Sequence, residues 1–73
     1  MTRKEAEDDM TQGFMDGYDL DAPEPSANRS HSYRHGFANG RRDKGVIQDG
    51  LNYAQLREIA ENCIGADIYG GTP

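Results

Sequence analysis

The chain has 73 residues, a net charge of −5, 34% apolar residues, a single cysteine and no tryptophan. That length allows one domain at most, whose core seldom supplies more than about 3–5 kcal/mol of net stability, and a mean hydropathy of −0.95 lies toward the disordered end of globular composition. Cys63 alone excludes an internal disulfide, no apolar run approaches the ~20 residues of a membrane span, and the polar Met1–Asp9 start carries no apolar leader segment, so a soluble cytoplasmic protein with frayed ends is expected.

From about Lys4 to Leu20 the pattern predicts an amphipathic helix. At 100° per residue, Ala6, Met10, Gly13, Phe14 and Gly17 fall on one side with Tyr18 at its edge, and Glu5, Asp8, Asp9, Gln12, Asp16 and Asp19 fall opposite. The prolines of Asp21-Ala22-Pro23-Glu24-Pro25 stop it, because each disfavours helical geometry in the residue before it. A polar connector reaches to Asn28. A second helix is expected from Ser30 or Ser32, either of which can cap it, to about Lys44, where Gly45 ends it.

The two helices share an internal echo. Gly13-Phe14-Met15-Asp16-Gly17-Tyr18 is answered by Gly36-Phe37-Ala38-Asn39-Gly40-Arg41. A glycine inside a helix costs roughly 1 kcal/mol against alanine. Close backbone packing of one glycine face on the other would offset that loss. Gly13, Phe14, Gly17 and Tyr18 would then meet Tyr33, Gly36, Phe37 and Gly40, with Arg34, Arg41, Arg42, His31 and His35 largely behind the seam.

Val46–Gly50 reads as a linker. Asn52 begins a third helical pattern, with Gln55 placed for a capping box and Tyr53, Leu56, Ile59, Ala60, Cys63 and Ile64 on one side. Gly65 is expected to close it and residues 66–73 to be disordered. The expected fold is therefore all-α: a small helical hairpin over residues 1–45 packed through Gly-x-x-x-Gly faces, a linker and amphipathic helix of undecided docking over 46–65, and the tail.

Charge is segregated along this layout. Residues 1–28 hold two bases against eight acids, residues 29–45 hold five bases against Asp43 alone, and residues 46–73 hold Arg57 against four acids. The hairpin would thus carry opposed acidic and basic flanks. Arg34, Arg41, Arg42 and Lys44, with Tyr33 and Phe37 interleaved, suit RNA or DNA phosphates and bases, or else simply balance the first helix. Asp8, Asp16 and Asp19 suit a basic protein surface, or else form a solvated helix side.

No catalytic apparatus is legible. His31 and His35 have the four-residue spacing of a zinc pair, without the further ligands such a site needs, so neither metal nor cofactor is expected. Ser30 or Ser32 with a histidine could be drawn as a hydrolase set, but so short a chain offers no preorganised pocket. Cys63 reads as a core thiol. Asn28-Arg29-Ser30 matches a glycosylation sequon that has no meaning without secretion, and no glycine pattern follows a strand.

Across residues 10–44, the spacing Gly13-Phe14-x-x-Gly17-Tyr18, a proline-bearing loop, then Tyr33-x-x-Gly36-Phe37-x-x-Gly40 resembles the ribosome modulation factor family. That resemblance implies a two-helix scaffold that sits on ribosomal RNA and protein, although this chain lacks that family's tryptophan and its basicity. In length, Met1 start and acid–base layout the whole chain resembles a second group, the tiny phage-encoded regulators of host RNA polymerase of the Xanthomonas-phage type. That second resemblance implies a monomeric, non-enzymatic protein of the host bacterial cytoplasm. It would bind RNA polymerase, inhibit initiation and promote antitermination. A ribosome- or RNA-binding protein is the alternative.

Overall fold

The computed structural model describes residues 1–70, which form three helices and no strand. Helix α1 is Arg3–Tyr18, α2 is His31–Asp43 and α3 is Tyr53–Tyr69. The all-α class holds. Helix α1 opens with a capping box, in which Glu5 N donates to Thr2 Oγ1 at 3.1 Å and Thr2 N donates to Glu5 Oε1 at 2.8 Å. Ser30 rather than Ser32 caps α2, its Oγ accepting from Tyr33 N at 3.0 Å. Asn52 and Gln55 exchange the same reciprocal pair at the start of α3.

The glycine seam is real and tight. A Cβ on Gly13 would land on the Tyr33 carbonyl oxygen, one on Gly17 on the Phe37 carbonyl oxygen, and one on Gly36 on that of Met10. At Gly40 it would meet the Phe14 carbonyl oxygen and lie 2.7 Å from Tyr18 N. Phe37, only 2% exposed, and Ala6 fill the space that the backbones leave.

The register corrects one expectation. Gly13 meets Tyr33, Gly17 meets Phe37, Met10 meets Gly36 and Phe14 meets Gly40, so position along α1 rises with position along α2. The helices run parallel, and the pair is not an up-and-down hairpin. Residues 19–30 bring the chain back beside α1 to the level of Asp9, to which Ser30 bonds, before α2 begins. Parallel neighbours set like poles of their dipoles side by side, which is unfavourable. Counter-charges from elsewhere in the chain, one buried and one half-buried, offset it, and they are described below.

Helix α3 docks, and it does not stop at Gly65. It continues to Tyr69, where Gly70 adopts a left-handed cap at φ 70°. Residues 66–69, expected to be disordered, are helical because Asp67 is tied to α2. Residues 71–73 of the expected tail lie outside the described residues. Asp67 meets the start of α2 while Leu56, Arg57 and Asn39 meet near its end, so α3 lies antiparallel to α2. The radius of gyration, 11.7 Å, against about 11 Å for a compact chain of this length, excludes an extended third helix.

Candidate interaction groove

Much of the charge expected to face a partner is used inside the fold. Arg41, expected on the outer basic flank, turns inward and is 6% exposed. Its Nη1 donates to Gly17 O at 2.6 Å and Asp19 O at 2.8 Å, its Nη2 donates to Ala22 O at 2.8 Å, and its guanidinium lies 4.5 Å from the Phe37 ring. These carbonyls sit at the negative end of α1, where a cation is favoured. This buried cap also explains why α1 ends at Tyr18, before the prolines.

At the opposite pole, the Asp67 carboxylate accepts from His31 N at 3.0 Å and Ser32 N at 2.7 Å, the free donors in the first turn of α2. Burial works against its charge, but the bonds from Ser32 and His31 hold its carboxyl below the usual range. Ser30 Oγ also donates to Asp9 Oδ2 at 2.8 Å, so three helices meet at one helix start. No local pattern around Asp67 signals this role.

The remaining expected contact residues are also engaged. Arg42 bonds Asp49 Oδ2 through Nε and Nη2, at 2.9 and 2.7 Å, and Asn39 Oδ1 at 2.7 Å. Arg34 Nη2 donates to His31 Nδ1 at 3.1 Å, and Lys44 lies 4.3 Å from the Tyr18 ring. On the acidic side Asp8 pairs with Lys4, and Asp16 accepts from Tyr33 Oη at 2.5 Å and Gln12 Nε2 at 2.9 Å. Asp19 accepts from Asp21 N at 3.0 Å. Arg34, Arg41, Arg42 and Lys44 therefore do not assemble into one free cationic face. His35 is buried at the α2–α3 contact, with Asn39 Nδ2 donating to its Nε2 at 3.2 Å, while His31 is exposed, so the two imidazoles do not converge. Among the described residues no cluster of metal-ligating side chains occurs.

What faces solvent instead is apolar. Phe14 (38% exposed), Met15 (58%) and Tyr18 (43%) project from α1, and Tyr53 (79%) stands at the start of α3. Between them run two adjoining hollows. One, of about 510 Å³, is lined by Phe14, Asn39, Asp43, Tyr53, Leu56, Arg57 and Ala60. The other, of about 310 Å³, is lined by Phe14, Met15, Tyr18 and Asp43. They share Phe14 and Asp43, and so form one groove between α1, the end of α2 and the first half of α3. Phe14 and Tyr18, expected in the seam, contribute their backbones to it and their rings to the groove, where they stack at 6.0 Å. Sequence reasoning missed this groove, because the docked position of α3 creates it.

Comparison with protein-family profiles, with curated proteins and with solved structures gave no match for this chain. No helix among the described residues is long and apolar enough to cross a membrane.

Proposed function

We propose that this protein acts by binding, as a stoichiometric regulator that docks on host RNA polymerase, inhibiting initiation and promoting readthrough at terminators in the bacterial cytoplasm. One observation carries the protein-binding part of the reading. The surface offers an aromatic-lined groove, while Arg41 is buried on backbone carbonyls and the half-buried Arg42 is paired with Asp49. Exposed clustered aromatics with a polar rim favour a protein partner over a nucleic-acid backbone. The polymerase itself rests on the whole-chain resemblance given above. In a pull-down with purified polymerase at low and moderate salt, retention together with reduced initiation and increased readthrough in vitro is the expected outcome. No retention at low salt removes the proposal.

The glycine seam favours a second reading, since the resemblance to the ribosome modulation factor family rests on those residues. Co-sedimentation with ribosomes, abolished by Arg42→Glu, would support it over the first.

A further inference from the structure

We infer that α3 is a releasable cover on the α1–α2 pair, latched by neutral His35 and let go as a unit when that imidazole takes up a proton. The hydrogen bonds around the ring form a chain of fixed direction. Arg42, paired with Asp49, donates from Nη1 to Asn39 Oδ1 at 2.7 Å, and Asn39 Nδ2 donates to His35 Nε2 at 3.2 Å. A guanidinium can only donate, so Arg42 fixes which end of the Asn39 amide faces the ring. His35 Nε2 must then accept, which places its proton on Nδ1. A second proton would set two donors against each other. Turning the Asn39 amide would only move that conflict to Arg42.

Among the described residues no carboxylate acts on the ring. The charge that does is Arg42, of the same sign as an imidazolium; α3 brings the Leu56 backbone to the ring, and α1 brings no charge to it. Asp43 and Arg57, of opposite sign, line the adjoining hollow with Asn39 and do not act on the imidazole. The docked form therefore prefers the neutral ring. Docking is complete above about pH 6.5, the ordinary imidazole value, and weakens as pH falls toward the lowered value of the docked ring.

The fold lets α3 leave alone. Ile64 is its buried residue, whereas the glycine seam and the Arg41 cap hold α1 to α2 without it. Its ends are closed by their own neighbours, Asn52 with Gln55 and then Gly70, and the linker turns at Gly45 (φ 82°) and Gly50 (φ 73°). The other tethers are Asp67 and the half-exposed pair of Arg3 with Glu61, a weak restraint in water. Departure of α3 uncovers the α2 face around Ser32 and His35, and Ser30 still caps that helix.

Native-state amide exchange of the full chain, expressed as protection relative to the unfolded chain at each pH, reads the opening. Between about pH 7.5 and about pH 5.5, protection along residues 57–69 should fall roughly three- to tenfold, while Gly13, Gly17 and Gly40 change less than about twofold. The His35 ring should titrate below about pH 6.5, and its ¹⁵N shifts should report the Nδ1–H tautomer at the higher pH. His31→Gln should leave the α3 loss in place. Asn39→Asp, whose carboxylate accepts from both Arg42 and an imidazolium, should abolish or reverse it. Unchanged α3 protection at the lower pH, an equal loss at the seam glycines, or an Nε2–H tautomer overturns the inference, as does parent-like α3 loss in folded Asn39→Asp. The parent's exchange and tautomer decide the matter even where that variant fails to fold.

Discussion

Gly17→Ala is the sharpest test of the seam, because two effects of opposite sign compete at that one position. Helix propensity alone favours alanine by roughly 1 kcal/mol. In the folded protein, however, the new Cβ would overlap the Phe37 carbonyl oxygen and lie 2.8 Å from its carbon and 2.9 Å from its Cα, where ordinary contacts begin near 3.4 Å. All three are backbone atoms that no rotamer change can move. Restoring contact distance means separating α1 from α2 by about 1 Å, which forfeits a quarter to a half of the dispersion attraction along the seam. Overpacking of this kind costs about 1–3 kcal/mol, and here it also displaces Gly17 O from Arg41. For backbone contacts this close the upper part of that range applies, about 2–3 kcal/mol. Less the roughly 1 kcal/mol of helix propensity, the net loss is about 1–2 kcal/mol, so at 4–8 °C per kcal/mol for a domain of this size the melting midpoint should fall by roughly 4–16 °C. Gly65→Ala is the internal control. Gly65 lies inside α3, and a Cβ there meets nothing within 4 Å, so the same substitution should raise the midpoint by a few degrees. Thermal unfolding of both variants followed at 222 nm decides the matter. If Gly17→Ala melts at or above the parent, the backbones do not touch and the account of the fold is wrong.

Arg41→Met keeps the aliphatic stem but leaves the carbonyls of Gly17, Asp19 and Ala22 without their donors; a loss of roughly 3 kcal/mol is expected in urea unfolding, against well under 1 for Arg57→Met on the surface. Asp67→Ala should release α3 from the start of α2 and cost about 1–2 kcal/mol, seen as faster amide exchange at His31, Ser32 and along residues 53–69. Because the Asp67 carboxyl is held below its ordinary value, that contribution is complete above about pH 4 and disappears as pH falls through the lowered folded value. His35 adds a second window. Burial first, and then the charge of Arg42, push its imidazole below its ordinary value, so the unfolded chain binds the proton more readily than the folded one. Stability should be full above about pH 6.5 and decline as pH drops below it, and His35→Gln should flatten that decline in urea titrations.

Helix positions, the starting cap of α3 and the glycine seam were legible in the residue order, because each rests on chemistry that acts over a few positions. A capping box reaches three residues, and a helical face recurs every three to four. Asn52 with Gln55 and the pairs Gly13/Gly17 and Gly36/Gly40 needed nothing more. Even so, Gly65 misled: a glycine ends a helix only where the next turn has nothing to hold it, and Asp67 holds that turn from across the molecule.

The direction in which α2 lies on α1 was decided in three dimensions, since the same glycine faces can meet either way round. So were the destinations of Arg41 and Asp67, whose partners lie 19–24 and 35–36 residues away along the chain. Arg41 looked like a binding cation and Asp67 like part of a loose tail, yet they occupy the unmatched poles of α1 and α2, where parallel dipoles most need a counter-charge. Residue order established which charges and which seam this protein would have. Only folding selected which charges it keeps for itself, and left the Phe14–Tyr53 groove uncovered.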